Sequence, residues 1–192
     1  MDLTLSSYSD QVFQNLALPQ GDLTKKEFLN CTFKRCNFSA SDFTGTFFVD
    51  CKFFDCDLSN VKVNNCSMQG VFFENCKLVG VKFRTINNLL VSLSYKNCLI
   101  ELCDFGLLSM KQTQFIGCTV REDDFSEANL SESSFVGSDL QASKFINTNL
   151  EKTDFTKAIN YYIDPLQNKI KKAKFSQPEV LALLLGFGIE IK

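Results

Sequence analysis

Apolar side chains return at every fifth residue along most of this chain. From Leu23 the step runs through Phe28, Phe33, Phe38, Phe43, Phe48 and Phe53. Leu58, Val63, Met68, Phe73, Leu78 and Phe83 continue it. The frame then slips by two residues within 84–90. It resumes at Leu90 and steps through Tyr95, Ile100, Phe105 and Met110 as far as Phe155. All 27 of these central positions are apolar or aromatic, and 14 are Phe, so chance is not a serious competitor.

The position two before each centre is the second signal. It holds Cys31, Cys36, Ser41, Thr46, Cys51 and Cys56 in the first half, and Ala128, Ser133, Ser138 and Ser143 in the second. All nine cysteines fall on it. Cysteine is a small hydrophobe that buries well. A period of five matches neither the 3.6 of a helix nor the 2.0 of a strand. One small and one large inward residue in every five suit a solenoid whose wall turns a corner at each repeat. Such a fold buries its core by stacking coils on their neighbours.

Stretches such as "ANLSESSFVGSDLQASKF" and "CDFGL" follow the pattern small–Asp/Asn–Leu/Phe–x–x. Over residues 21–157 the chain resembles the pentapeptide repeat family. The resemblance implies an all-β fold: a right-handed quadrilateral parallel β-helix, four repeats to a coil. Twenty-seven repeats then make between six and seven coils, roughly 30 Å long at a strand spacing of ~4.8 Å.

With twenty residues per coil, Phe105, Phe125 and Phe145 form one column and Phe115, Phe135 and Phe155 another. Met110, Leu130 and Leu150 form a third, and Val120 and Leu140 a fourth. Phe on two opposite faces fills a square section, whereas four Phe in one layer are expected to crowd it. Cys36, Cys56 and Cys76 also stack, as do Cys31 with Cys51 and Cys98 with Cys118. Free thiols are expected, in a reducing compartment.

Three segments follow: an N-terminal cap at 1–20, the repeat at 21–157 and a C-terminal segment at 158–192. The slip at 84–90 requires a bulge, either a simple accommodation or a small recognition feature. Near the end, Ile170 and Phe175 look like degenerate repeats. Ser176-Gln-Pro-Glu179 reads as a capping box opening a short α-helix. Val180, Leu181, Leu184 and Leu185 make one face of it, with Gly186 as the stop. Leu183 and Phe187 add apolar surface on the other side, and Ile189-Glu-Ile191 reads as extended. The tail resembles that of the Qnr-type and mycobacterial fluoroquinolone-resistance subgroup. That resemblance implies a homodimer formed through Val180, Leu181, Leu184, Leu185, Phe187 and Ile189.

Composition narrows the chemistry. The 192 residues contain no His, which removes Ser-His-Asp and Cys-His catalysis and His-ligated metals. The net charge of -2 is not that of a nucleic-acid binder. No run is long enough to span a membrane, and no signal peptide is evident. Asp42-Phe-Thr-Gly45 is a repeat, not a phosphate loop. Glu122-Asp123-Asp124 is open to two readings, a hard-cation site or solvated carboxylates. Asp123 stands out because it takes a small inward position between Cys103 and Ser143. The expectation is therefore a cytoplasmic protein that is not an enzyme, with no cofactor, no metal and no nucleic-acid or membrane contact.

Two surfaces remain as protein contacts. Residues 97–155 carry 10 acidic and 4 basic groups. Glu101, Asp104, Glu122, Asp124, Glu127, Glu132 and Asp139 are the candidate acidic surface. The Qnr-type resemblance implies a DNA-mimicking dimer that occupies a type II topoisomerase such as DNA gyrase and modulates quinolone action. Phe54 and Phe72, beside the centres at 53 and 73, are the candidate apolar patch. They suit an interaction scaffold for some other protein partner.

Overall fold

The computed structural model describes residues 3–189. Its strands are segments of two to four residues that pair in parallel with segments one coil away. Ser7–Ser9, Glu27–Leu29, Phe47–Val49 and Ser67–Gln69 stack as one face. Val12–Gln14, Thr32–Lys34, Lys52–Phe54, Val71–Glu74, Leu93–Lys96 and Gln114–Ile116 stack as a second. Lys77–Val79, Leu99–Glu101 and Thr119–Arg121 belong to a third. Parallel bridges Asp22 to Asp42 to Lys62, and Asp104 to Asp124 to Lys144, mark the fourth. The register is twenty residues, as Phe33 to Phe53 to Phe73 shows, and twenty-two across the slip, from Phe73 to Tyr95.

Every centre but Leu90 points inward and is buried, and most residues beside the centres are more exposed. The corner follows two residues later, in the left-handed region: Asn15, Arg35, Asp55 and Asn75 have φ of 55°, 51°, 54° and 53°. The small inward position does more than save space. Its hydroxyl or thiol donates to the carbonyl of the centre one coil below. Thr46 bonds Leu23 O at 2.5 Å, Ser138 bonds Phe115 O at 2.8 Å and Cys51 bonds Phe28 O at 3.2 Å. Ser, Thr and Cys all satisfy this, because each is small and carries a donor.

In the second half the Phe columns form as expected. Phe105 and Phe125 stack at 5.0 Å, Phe115 and Phe135 at 4.7 Å, and the two columns meet edge to face. The first half corrects the expectation about crowding. Phe33, Phe38, Phe43 and Phe48 line four successive walls of one coil. They fit as a pinwheel, with edge contacts of 5.6, 5.6 and 5.4 Å around the coil and 6.2 Å across its closure. Edge-to-face contact is the favoured aromatic geometry, so four rings fill a layer without strain.

The solenoid makes about eight turns rather than six to seven. Coiling includes both flanks of the regular repeat. Tyr8 stacks on Phe28 at 5.3 Å and Phe13 on Phe33 at 5.0 Å, within the segment expected as a cap. At the other end Lys174–Phe175 pairs with Asp154–Phe155, and Phe175 stacks on Phe155 at 5.1 Å. Eight turns at ~4.8 Å give a rod of roughly 40 Å.

The frame slip is a second correction. Leu90 is not a core centre; it and Leu89 are each 75% exposed. A 3-10 turn at Phe83–Thr85 leads instead to buried Ile86, above Cys66 in the small column. Residues 88–90 then lift out of the wall. Asn87 N–H donates to Cys66 O and Ser92 N–H to Met68 O, so the chain rejoins the coil on both sides. Met68 and Met110 are the buried centres before and after the bulge on this face. Methionine's flexible chain suits the irregular space there.

The terminal helix, Glu179–Phe187, is also corrected. It is a 3-10 helix, not an α-helix. Its N-cap is Pro178, with no side-chain cap, so the capping box does not form. Gly186 lies inside it, and the stop is Gly188 in the left-handed region, whose N–H donates to Leu185 O. Glu190 and Ile191, expected as extended, lie outside the described residues.

Candidate functional site

Buried side chains stack along the interior in one cluster from Tyr8 to Ile163, and the candidate residues with exposed surface lie on the outer wall and the terminal helix. The hollows are shallow and external, such as one between Asn60, Lys62, Asn64, Gly80 and Lys82. Among the described residues no three His, Cys, Asp or Glu are grouped as a metal site, and no helix is long and apolar enough to cross a membrane.

The seven candidate acidic residues do not form one stripe. Asp104 and Asp124 stack on the fourth face; Glu101 and Asp139 lie on the third. Glu122, Glu127 and Glu132 occupy three different corners, each with positive φ. Three of the seven meet cations. Asp104 pairs with Arg84 at 3.2 Å and Glu132 with Lys152 at 2.7 Å. Asp139 receives Arg121 Nε at 3.0 Å and Asn160 Nδ2 at 2.8 Å. Hydrogen bonds from Lys152 and Gln112 hold the Glu132 carboxyl below its usual range. Burial raises Asp139, but Asn160 and Arg121 outweigh it and leave its carboxyl low. Glu101, Glu122, Asp124 and Glu127 have no ion-pair partner within 4 Å among the described residues.

Asp124 shows why the repeat favours Asp or Asn before its centre. Its Oδ1 accepts Ser126 N–H at 2.8 Å, and Asp42, Asp57, Asp104 and Asp154 make the same two-residue turn. These carboxylates shape corners before they offer charge.

Beneath the acidic corner lies Asp123, fully buried. Its Oδ1 accepts Cys103 N–H at 2.6 Å, and its N–H donates to Ser143 Oγ at 3.3 Å. Its Oδ2 finds no partner, and neither does the buried Tyr95 hydroxyl. Burial, aided by the charges of Glu101 and Glu122, pushes the Asp123 carboxyl up to about 8 against the pull of the Cys103 N–H. At neutral pH it is therefore mainly protonated.

The apolar candidates are of three kinds. Phe54 and Phe72 are half-buried on the second face, with ring centroids 6.0 Å apart. The bulge carries Leu89 and Leu90, the most exposed large apolar pair, flanked by Asn87 and Asn88. Sequence reasoning missed this pair because the five-residue step assigned Leu90 to the core. The signal was present in the polar Asn-Asn that precedes two leucines. On the terminal helix Ala182 and Leu183 pack against the core. Leu181, Leu184, Leu185, Phe187 and Ile189 are exposed on the outer side, and Val180 is intermediate.

All nine cysteines are free and buried. Burial pushes the Cys66 thiol up, and that of Cys51 up to about 12.

A four-faced rod of stacked parallel coils around a buried core defines a β-solenoid repeat protein. Two pentapeptide repeat patterns match it. "Pentapeptide repeat region" covers residues 26–105 and "Pentapeptide repeats (8 copies)" covers 124–159, so the chain belongs to the pentapeptide repeat family.

Among solved structures it is similar to a trypsin-treated form of QnrB1, a plasmid-mediated fluoroquinolone resistance protein. The match has 21% identity, covers 94% of this chain and 100% of that one, and has a TM-score of 0.56. It is also similar to HetL, a pentapeptide repeat protein involved in heterocyst differentiation regulation from the cyanobacterium Nostoc. There the identity is 14%, the coverage 88% and 84%, and the TM-score 0.63. At these identities the likeness is one of fold. No curated protein sequence matches this chain.

Proposed function

We propose that this protein is a non-enzymatic scaffold that acts by binding another protein on its outer wall. The observation that carries this reading is the bulge. The other centres of the repeat turn inward, and here Leu90, which keeps the five-residue step, is turned out with Leu89, each 75% exposed. Fully burying a leucine is worth about 1.5–3 kcal/mol, which the isolated rod forgoes twice. A partner that covers Leu89 and Leu90 recovers it. The half-buried Phe54–Phe72 pair is a secondary contact.

A gyrase-type topoisomerase is the second reading. It is favoured by the fold shared with QnrB1 and by Glu101, Glu122, Asp124 and Glu127, which keep unpaired charge. The ion pairs of Asp104, Glu132 and Asp139 dilute any imitation of DNA, which presents one charge per ~1.7 Å. A supercoiling assay, with and without a fluoroquinolone, separates the readings. Inhibition or relief of drug-stabilised cleavage that fades with salt and on Glu122→Lys/Asp124→Lys supports DNA mimicry. Salt-resistant binding that is lost on Leu89→Asp/Leu90→Asp supports the apolar contact. No effect on gyrase removes this second reading.

The exposed face of the terminal helix fits a second copy of the chain. Leu181, Leu184, Leu185 and Phe187 project from a helix that already packs Ala182 and Leu183 onto its own coil. Pairing two rods end to end covers this face in both. Light scattering on a sizing column is expected to give twice the 21.7 kDa chain mass. Leu185→Glu should return the monomer, and a monomeric wild type would contradict the pairing. The nine free thiols support a cytoplasmic location.

A further inference from the structure

Cysteines stand in one unbroken column at the corner between the second and third faces: Cys36, Cys56, Cys76, Cys98 and Cys118. The other small columns mix their residues, as in Cys31, Cys51, Val71, Leu93 and Thr113. Within the five-cysteine column the surroundings of each sulfur repeat. Sγ of Cys36, Cys56, Cys76 and Cys98 contacts the carbonyl two residues before it at 3.4, 3.2, 3.4 and 3.4 Å. Each also contacts the centre one coil below, Phe13, Phe33, Phe53 or Phe73, at 3.7, 3.6, 3.4 and 3.5 Å. Backbone N–H groups of Cys36, Cys56 and Cys98 donate to Sγ of Cys56, Cys76 and Cys118 at 3.4, 3.4 and 3.5 Å.

Sulfurs with the same contacts, one coil apart, are translated copies of one another. Their separation is therefore the coil rise, about 4.8 Å. Two metal–thiolate bonds of about 2.3 Å laid end to end span about 4.6 Å. The column thus offers a linear pair of sulfurs at the spacing of a two-coordinate ion. It offers no tetrahedron, in keeping with the lack of three-residue metal groups among the described residues. Soft thiolates select copper(I) over harder ions.

We infer that this column binds a soft monovalent d10 cation, copper(I) or silver(I), held linearly between the sulfurs of adjacent coils. Cys56 and Cys76 are buried beneath an outer hollow of the wall. They contribute to the floor of an outer groove of about 370 Å³ whose walls include Asp55, Asp57, Asn75 and Lys77. Asp55 favours an arriving cation, whereas Asp57 is paired with Lys77 at 4.0 Å. On binding, two thiols release two protons to solvent and each sulfur donates one lone pair to the metal. Nothing is oxidised or reduced, and the pair carries one negative charge. The backbone N–H bonds to the Cys56 and Cys76 sulfurs stabilise it.

The test is anaerobic titration of the intact protein with copper(I) against a chromogenic copper(I) chelator. X-ray absorption then counts the sulfur neighbours. Wild type and Cys66→Ser, which lies off the column, should take copper(I) from the chelator with two sulfurs per metal. Cys56→Ser/Cys76→Ser, which leaves Cys98 and Cys118 as the adjacent pair of the column, should take up less copper(I) per chain than wild type. Serine already serves in this column: Ser138 Oγ receives Cys118 N–H at 2.9 Å and donates to Phe115 O at 2.8 Å, so the variant should keep its fold. No uptake from the chelator, equal uptake by the double variant, or three sulfurs per metal would overturn the inference. If the double variant unfolds, the wild-type sulfur count decides alone.

Discussion

Phe115→Ala is expected to lower the unfolding free energy by about 3–5 kcal/mol. The ring is fully buried, lies 4.9 Å from Tyr95 below and 4.7 Å from Phe135 above, and meets Phe105 and Phe125 edge on. Truncation leaves a cavity bounded by strands locked in register on both sides, so the site cannot collapse. The damage is shared by two interfaces, because each coil is stabilised by its neighbours. Urea denaturation followed by circular dichroism measures it. Leu89→Ser, on the exposed bulge, should stay within ~0.5 kcal/mol of wild type in the same experiment. Equal losses at the two positions would contradict the assignment of core and wall.

Asp123→Ser is expected to stabilise the rod, and by more as the pH rises. Folding raises this carboxyl from an ordinary value to about 8, chiefly through burial. Between pH ~4 and ~8 the folded state keeps a proton that the unfolded chain releases. The wild type therefore loses stability as pH climbs through that range, then levels off above it. Each pH unit inside the window is worth up to about 1.4 kcal/mol, so the whole effect is several kcal/mol. Serine is the natural replacement, since Ser143 fills the next position of the column and bonds Val120 O at 2.9 Å. Melting temperatures of both proteins at pH 5 and pH 8 test this. A gap that fails to widen at pH 8 would show that Asp123 is not buried as a neutral acid.

The coil itself was legible because its cause is local. Phe33, Phe53 and Phe73 announce a twenty-residue register, and the cysteines announce the small inward position. The reason for Ser, Thr and Cys there was not legible, since the carbonyl they bond belongs to another coil. The pinwheel of Phe33, Phe38, Phe43 and Phe48 was misjudged because a pattern of sizes does not reveal ring tilt. Leu90 was misplaced because a step count cannot say which residues of a seven-residue slip turn inward; Ile86 does so by extending the column of Cys66. Asp123 was visible as an oddity, but its orphaned Oδ2 depends on the surrounding side chains. The acidic residues were counted correctly along the chain. Their distribution over two faces and three corners, and their pairing with Arg84, Arg121 and Lys152, emerges only in three dimensions.

In the proposed function a partner protein binds at the bulge of Leu89 and Leu90. A photo-crosslinking amino acid placed at position 90 tests it in the cells that make this protein, with position 157 on a distant corner as control. The account predicts one discrete adduct from position 90, identified by mass spectrometry, that position 157 does not give. That adduct should disappear when Leu89 is changed to Asp. No adduct at position 90, or the same adducts from both positions, would contradict the account.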